Sequence, residues 1–356
     1  MKDQLSQTDI TLPDIAGHSV FQRDFVDAKR QGRMHHGWLL TGPRGIGKAQ
    51  LALQAAAFLL AESYVDPKVM QKLTSFEIDT ADPGVALVLN RAHPDLKIVA
   101  PLEEDNKSGH IKIEQIRALV PFMMHKPGRG GWRVAIIDSM DELNYYGYNA
   151  LLKVLEEPPE NTVLFLIASL PGRLPPTIRS RCRVARLAAL DQIRSAKVIS
   201  GIWPDADANQ RELLTILCEG APGRAVILAK SGAADYYQAV CGLLSEDWLD
   251  RAALEIICGK WGKGGAVGKV GRECAILLLE RLLRFCALSA CGVSLAPCCQ
   301  FEKRVIAALC RRHSADRLAE MQCEFSQKAT QANSLHLDFA QLLIRQLSAF
   351  HRKSLP

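Results

Sequence analysis

Between Gly37 and Ser169, short continuous apolar runs alternate with stretches in which apolar residues recur every three or four positions. WLLTG (Trp38–Gly42), DLKIVA (Asp95–Ala100), WRVAIID (Trp132–Asp138) and VLFLIAS (Val163–Ser169) belong to the first kind and predict buried strands. KAQLALQAAAFLLAES from Lys48, IEQIRALVPFMMHK from Ile113 and NYYGYNALLKVLEE from Asn144 belong to the second and predict helices. Pro158 and Pro159 stop the last of these, because proline lacks the amide donor and clashes with the preceding turn. Strand alternating with helix predicts an α/β domain around a mostly parallel sheet. After about Cys182 the strand signals cease, and QRELLTILCEG, GRAVILAKSG, CAILLLERLLRFCALSA and LDFAQLLIRQLSAF all carry helical spacing. The expected organisation is an α/β domain over residues 1–182, a small helical domain over 183–235 and a larger all-helical one over 236–356.

Composition narrows this picture without redirecting it. With 48% hydrophobic and 23% charged residues over 356 positions, the chain is an ordinary globular sequence, not a disordered one. The net charge of +6 is scattered and is a weak signal for nucleic acid or an acidic partner. All 11 cysteines fall at or after Cys182, mostly inside apolar helical runs, which suits reduced core thiols better than a disulfide framework. No C-x-x-C pair occurs, and the spacing of Cys286, Cys291, Cys298 and Cys299 fits no standard zinc pattern, so no zinc is expected. The N-terminus lacks the apolar core of a signal peptide and charges interrupt every apolar window, so a cytoplasmic location is expected.

The chemistry concentrates at TGPRGIGKAQ, Thr41–Gln50. Gly42, Gly45, Gly47 and Lys48 have the spacing of a phosphate-binding loop, and the loop lies where a predicted strand ends and a predicted helix begins. There the backbone N–H groups and the positive end of the helix face an anion. The residue after the lysine should carry a hydroxyl to ligate magnesium, yet position 49 is alanine. Asp138 closes the strand VAIID, where such sites place the acid that holds the metal, but Ser139 follows instead of a glutamate to polarise water. A tight turn with a solvated Lys48, and Asp138 as a strand terminus or helix cap, are the plainer alternatives. Asp141 and Glu142 read as acids of a helix's first turn. Arg179, Arg181 and Arg183 cluster in TIRSRCR, and Arg224 opens a helix in GAPGRA; such arginines are also common as solvated surface residues.

Taken in order, HHGWLLTGPRGIGK, AHPDLKIV, IKIEQIRAL, AIIDSMDELNYYGYNALLKVLEEPPENTVLFLIAS and PPTIRSRC resemble the AAA+ clamp-loader family over about Gly37–Arg224. The resemblance implies a RecA-like AAA+ P-loop domain, a small helical lid and an all-α collar that closes a five-subunit ring. It places Gly42, Gly47 and Lys48 on Walker A, Asp138 on Walker B, Ser169 on sensor 1, and Arg224 on sensor 2. Arg181 falls on the arginine of the Ser-Arg-Cys motif, which in the family acts in trans on ATP held by the next subunit. Implied partners are the tau or gamma ATPase subunits and delta, with the sliding clamp and primed DNA as cargo. Many relatives insert a four-cysteine zinc module after the P-loop helix, whereas residues 50–110 here contain no cysteine. Ala49 and Ser139 imply a subunit that binds ATP weakly and hydrolyses it poorly. An active tau/gamma-like ATPase, a metabolic P-loop kinase and a purely structural ring subunit are the rival readings.

Overall fold

The computed structural model describes residues 17–61, 73–76, 78–101, 111–128, 131–261, 265–294, 298–334 and 337–352. The chain divides into two compact units, Met1–Ile202 with Gly220–Gly223, and Trp203–Glu219 with Arg224–Pro356.

The first unit is an α/β domain. Its elements are α1 (Ser19–Arg30), β1 (Gly37–Thr41), α2 (Lys48–Leu60), α3 (Pro83–Leu89), β2 (Leu96–Val99), α4 (Ile113–Met124), β3 (Arg133–Ile137), α5 (Tyr145–Glu156), β4 (Thr162–Ala168), α6 (Pro176–Arg179), β5 (Arg183–Arg186) and α7 (Gln192–Ile202). The strands form one parallel sheet in the order β2-β3-β4-β1-β5. Strands β1, β3 and β4 are buried along their whole length, as continuous apolar runs predict. Side chains alternate between the two faces. Trp38, Leu40, Val163, Phe165 and Ile167 pack into one core with α1 and α2, and Leu39, Leu164 and Leu166 into another with α4 and α5. In α2, Ala52, Ala55, Ala56 and Ala57 are fully buried, so the helix backbone approaches the sheet closely without sacrificing helix propensity. Phe21, Phe25, Trp38 and Phe165 fill the space beside it, with Phe25 packed 5.2 Å from Trp38 and 5.6 Å from Phe165 between ring centroids.

The expectation that strands end by Cys182 is corrected by β5, which pairs with β1 from Trp38↔Arg183 to Thr41↔Arg186. The reason is its position. As the sheet's edge it exposes Arg183, Val184 and Arg186, so it lacks the apolar run that marks the interior strands.

The second unit is helical among its described residues. It comprises α8 (Ala208–Leu217), most of α9 (Pro222–Ser231), α10 (Ala233–Ser245), α11 (Arg251–Trp261), α12 (Gly265–Ala290), α13 (Gln300–Arg312), α14 (Ala315–Ser334) and α15 (Phe339–His351). Tyr237, Trp261, Leu278, Leu282, Phe325, Leu343 and Phe350 are core residues. Cys218, Cys241, Cys258, Cys274, Cys286 and Cys299 are buried and form no disulfide, and burial pushes Cys258 and Cys299 up to about 12. Among the described residues no helix is long and apolar enough to cross a membrane.

Candidate functional site

The Gly42–Gly47 segment joins β1, which lies between β4 and the edge strand β5, to α2. Gly42 has φ +147°, and a Cβ there would lie 2.2 Å from the carbonyl oxygen of Leu187. The turn therefore requires glycine whatever it binds. Gly47, at φ +90°, caps α2, and Gly45 lies between them at φ +84°. The Gly223 N–H donates to the Gly45 carbonyl at 2.8 Å, a close approach at which a Cβ on residue 223 would crowd the Gly45 carbonyl oxygen at 3.0 Å. His18 Nε2 also lies 3.0 Å from the Ile46 carbonyl.

Lys48 turns back over this loop. Its Nζ donates to the carbonyls of Gly42 and Pro43 at 2.7 Å each and to Ser169 Oγ at 3.0 Å. Its residue is only 6% exposed, and its direct partners in these bonds are neutral oxygens. Burial accordingly lowers its pKa from the ordinary 10.5 to about 8, with the charges of Asp138 and Asp141 opposing the shift and Arg44 adding to it. Asp138 follows β3, and its N–H donates to Val99 at 2.8 Å. Burial raises its carboxyl above the usual range, while the Lys48 charge pulls it down.

The structure thus gathers Gly42, Gly45, Gly47, Lys48, Asp138 and Ser169, residues far apart in sequence, around the mouth of one loop. It also gives Asp141 a task that its spacing did not announce. Asp141 lies in a short 3-10 turn, Met140–Glu142, and its carboxylate accepts from the N–H groups of Ser169 and Leu170 at 3.2 and 3.1 Å. It fastens the end of β4, and so the Ser169 hydroxyl, beside Lys48. Only the adjacency of β3 and β4 makes this visible.

Position 49 is exposed at the start of α2 and offers a methyl group, and Ser139 adopts a left-handed backbone at φ +66°. The loop amides and Lys48 suit a phosphate group, and Asp138 is the acid that a metal would meet there. Neither Ala49 nor Ser139 supplies a carboxylate, and Ala49 supplies no oxygen side chain at all. The set fits an anion better than a hydrated divalent cation. Among the described residues no cluster of three or more His, Cys, Asp or Glu side chains has the disposition of a metal site.

Arg181 lies apart from the loop, on the turn after α6. Its guanidinium donates to the Thr177 carbonyl at 3.0 Å and pairs with Glu156 at 2.9 Å, with 36% of the side chain exposed. Arg183 is committed differently: it stacks 4.8 Å over the Trp38 ring and pairs with Asp24 at 3.2 Å. Arg224 belongs to the second unit and pairs there with Glu219 at 3.2 Å.

Residues 17–191 match the family model described as "DNA polymerase III, delta subunit". The chain is 34% identical over 187 residues to the DNA polymerase III subunit delta' of Pseudomonas aeruginosa, covering 52% of this chain and 53% of that protein. It is also 34% identical over 186 residues to the DNA polymerase III subunit tau of Escherichia coli, covering 52% of this chain and 27% of that protein. The chain thus spans about half or less of the length of these relatives. A DNA polymerase III gamma subunit-related protein from Thermotoga maritima aligns over 93% of this chain and 100% of its own, at 15% identity and a TM-score of 0.43.

Proposed function

Residues 17–191 belong to the DNA polymerase III clamp-loader family, and from that premise we propose that the chain is its delta-prime-like subunit, a poor ATPase that serves a neighbour's ATP with Arg181. Its partners on this reading are the tau or gamma subunits and delta, and in the assembled ring it helps to place the sliding clamp on primed DNA. Residues 183–235 serve as the lid and 236–356 as the collar.

The observation that supports the reading is a loop lysine, Lys48, turned onto neutral oxygens beside Ala49, with Arg181 set apart from it at the surface. Lys48 lies in a loop with phosphate-binding spacing from which the metal's hydroxyl ligand and the water-activating carboxylate are missing, at Ala49 and Ser139. ATP therefore binds weakly here, through loop amides and Lys48, and turnover is slow. Arg181 is partly exposed and tethered by a surface ion pair to Glu156, the Thr177 carbonyl and a long contact to Ser180 Oγ at 3.5 Å. Releasing the Glu156 pair costs about 0–1 kcal/mol, the usual value of a surface pair, so the side chain is free to reach another subunit. A planar, permanently charged guanidinium then offsets the negative charge that develops on the transferring phosphoryl oxygens.

The equal identity to a tau subunit favours one rival, an active tau/gamma-like ATPase. Ala49 and Ser139 weigh against it.

The test is clamp-loading and ATPase activity in reconstituted complexes carrying Arg181→Ala, Arg181→Lys or Arg183→Ala. Loss of a trans arginine costs about 10³–10⁵ in rate at the affected site, with a smaller effect on a complex that has several sites. Arg181→Ala and Arg181→Lys are expected to impair hydrolysis while assembly persists, and Arg183→Ala to act through packing on Trp38 instead. Normal activity with Arg181→Ala would leave a structural subunit, and robust turnover by the isolated wild-type chain would make it a motor.

A further inference from the structure

In the second unit, the last turn of α13 brings Arg311 and Arg312, and the end of α15 brings His351 and Arg352, beside residues 246–250 and the first residue of α11, Arg251. Together they line a groove of about 570 Å³. Trp248 also lines it and is 86% exposed, the largest exposure of any large apolar side chain among the described residues.

The loop behind this indole is tied down. Arg312 donates to the Leu244 carbonyl at 2.6 Å and to the Glu246 carbonyl, and His351 Nε2 lies 2.9 Å from the same Glu246 oxygen. An exposed tryptophan on an anchored loop presents a flat, rigid ring with a polar edge, the kind of side chain enriched at binding surfaces.

The charges around it have an ordinary explanation only in part. Arg311 and Arg312 end a helix, where cations offset the negative end of the dipole. Arg251 opens α11, where the dipole's positive end disfavours a cation. Acidic groups are present too: Asp250 caps α11 by accepting from Ala253 N–H at 3.0 Å, and Asp247 lines the groove 3.9 Å from Arg312. Against that one lining acid stand four arginines. Of these, Arg251, Arg311 and Arg352 have no ion pair among the described residues.

We propose that this groove binds a segment of single-stranded nucleic acid, with Arg251, Arg311 and Arg352 on successive phosphates and a base stacked on Trp248. Arginines beside an exposed aromatic ring are the two components of strand binding, one tracking the backbone and the other taking the flat face that every base offers. An acidic peptide would satisfy the arginines and leave the indole without a flat partner. The site lies within the second unit and stands whether or not Arg181 acts as a finger.

The experiment is fluorescence anisotropy of the full chain with a fluorescein-labelled oligothymidylate of about 12 nucleotides over a range of sodium chloride concentrations. Trp248→Ala is expected to weaken binding about 5- to 100-fold, the effect of losing one stacked base, and Trp248→Phe to recover most of it. The triple variant Arg251→Ala, Arg311→Ala, Arg352→Ala is expected to flatten the salt slope by about 2, from about 0.7 per phosphate contact on a single strand. All four side chains are exposed, so circular dichroism and melting temperature should match the wild type. Binding that is unchanged by Trp248→Ala, with a salt slope unchanged in the triple variant, would overturn the proposal. Displacement of the oligonucleotide by oligoglutamate at equal charge, with the same dependence on Trp248, would overturn it in favour of an acidic-peptide surface. An Arg181→Ala chain that retains the binding would separate this site from the finger.

Discussion

Two buried cations, one in each unit, show how the chemistry of their partners separates a poised group from a finished one. Lys48 in the first unit is held by two carbonyls and a hydroxyl. Arg281 in the second, 2% exposed, meets carboxylates directly: Nε reaches Glu302 Oε1 at 2.9 Å and Nη1 reaches Glu219 Oε1 at 2.7 Å. Tyr237 donates to Glu302 at 2.8 Å, and the Arg281 guanidinium stacks 4.3 Å over the Phe285 ring. Burial would lower both cations. For Arg281 the Glu302 hydrogen bond and the charges of Glu302 and Glu219 overcome that effect and raise it, whereas for Lys48 burial prevails. A cation neutralised by its own carboxylates has no use for another anion. One solvated by neutral oxygens gains from meeting a phosphate.

Breaking the finished pair should give the largest effect. Glu302→Ala strips Arg281 of its buried partner and should destabilise the second unit by about 3–5 kcal/mol, the usual cost of leaving a buried charge uncompensated. Urea unfolding followed by circular dichroism would register this; a loss below about 1 kcal/mol would mean that Glu219 alone suffices.

The next effect concerns what the loop lacks. Ala49→Thr restores a hydroxyl where a magnesium ligand belongs, and titration calorimetry should then show ATP affinity that rises with magnesium by roughly tenfold, against little magnesium dependence in the wild type. Equal magnesium dependence in both would remove Ala49 as the cause of the weak metal site.

The acid–base prediction follows from the lowered pKa of Lys48. Between about pH 8 and 10.5 the unfolded chain keeps a proton that the folded chain has released. Stability from this group therefore rises with pH across that window, and its cost is fully present below it. The wild type should gain on Lys48→Met as pH climbs through the window. The Lys48 side-chain resonance should titrate near 8 and move upward when pyrophosphate is added, because the phosphate charge favours the ammonium. A titration at the ordinary lysine value would show that the loop carbonyls do not enclose it.

The smallest effect is the stability change of Lys48→Met at neutral pH, expected within about 1 kcal/mol because lost hydrogen bonds and relieved burial of charge oppose each other. The same variant should lose most of its affinity for a fluorescent ATP analogue. A large loss of stability would make Lys48 a structural residue like Arg281.

The interior strands, the loop and the helix α2 that leaves it were legible in the sequence because each has a local cause. Continuous apolar runs make β1, β3 and β4, glycines at 42, 45 and 47 allow the left-handed turn, and Pro158 ends the helix before it. Those features need only neighbours along the chain. The edge strand β5, the Asp141 clamp on Ser169, the Gly223 contact with Gly45, and the convergence of Trp248 with arginines at three helix ends were not legible there. Each joins residues from distant segments. Polar residues carry no periodic mark of where they will meet, since their pairing depends on which strands and helix ends the packed apolar faces bring side by side. Sequence alone supplied the phosphate loop and the missing hydroxyl, and tertiary packing decided that the lysine would meet neutral oxygens while the buried arginine met carboxylates.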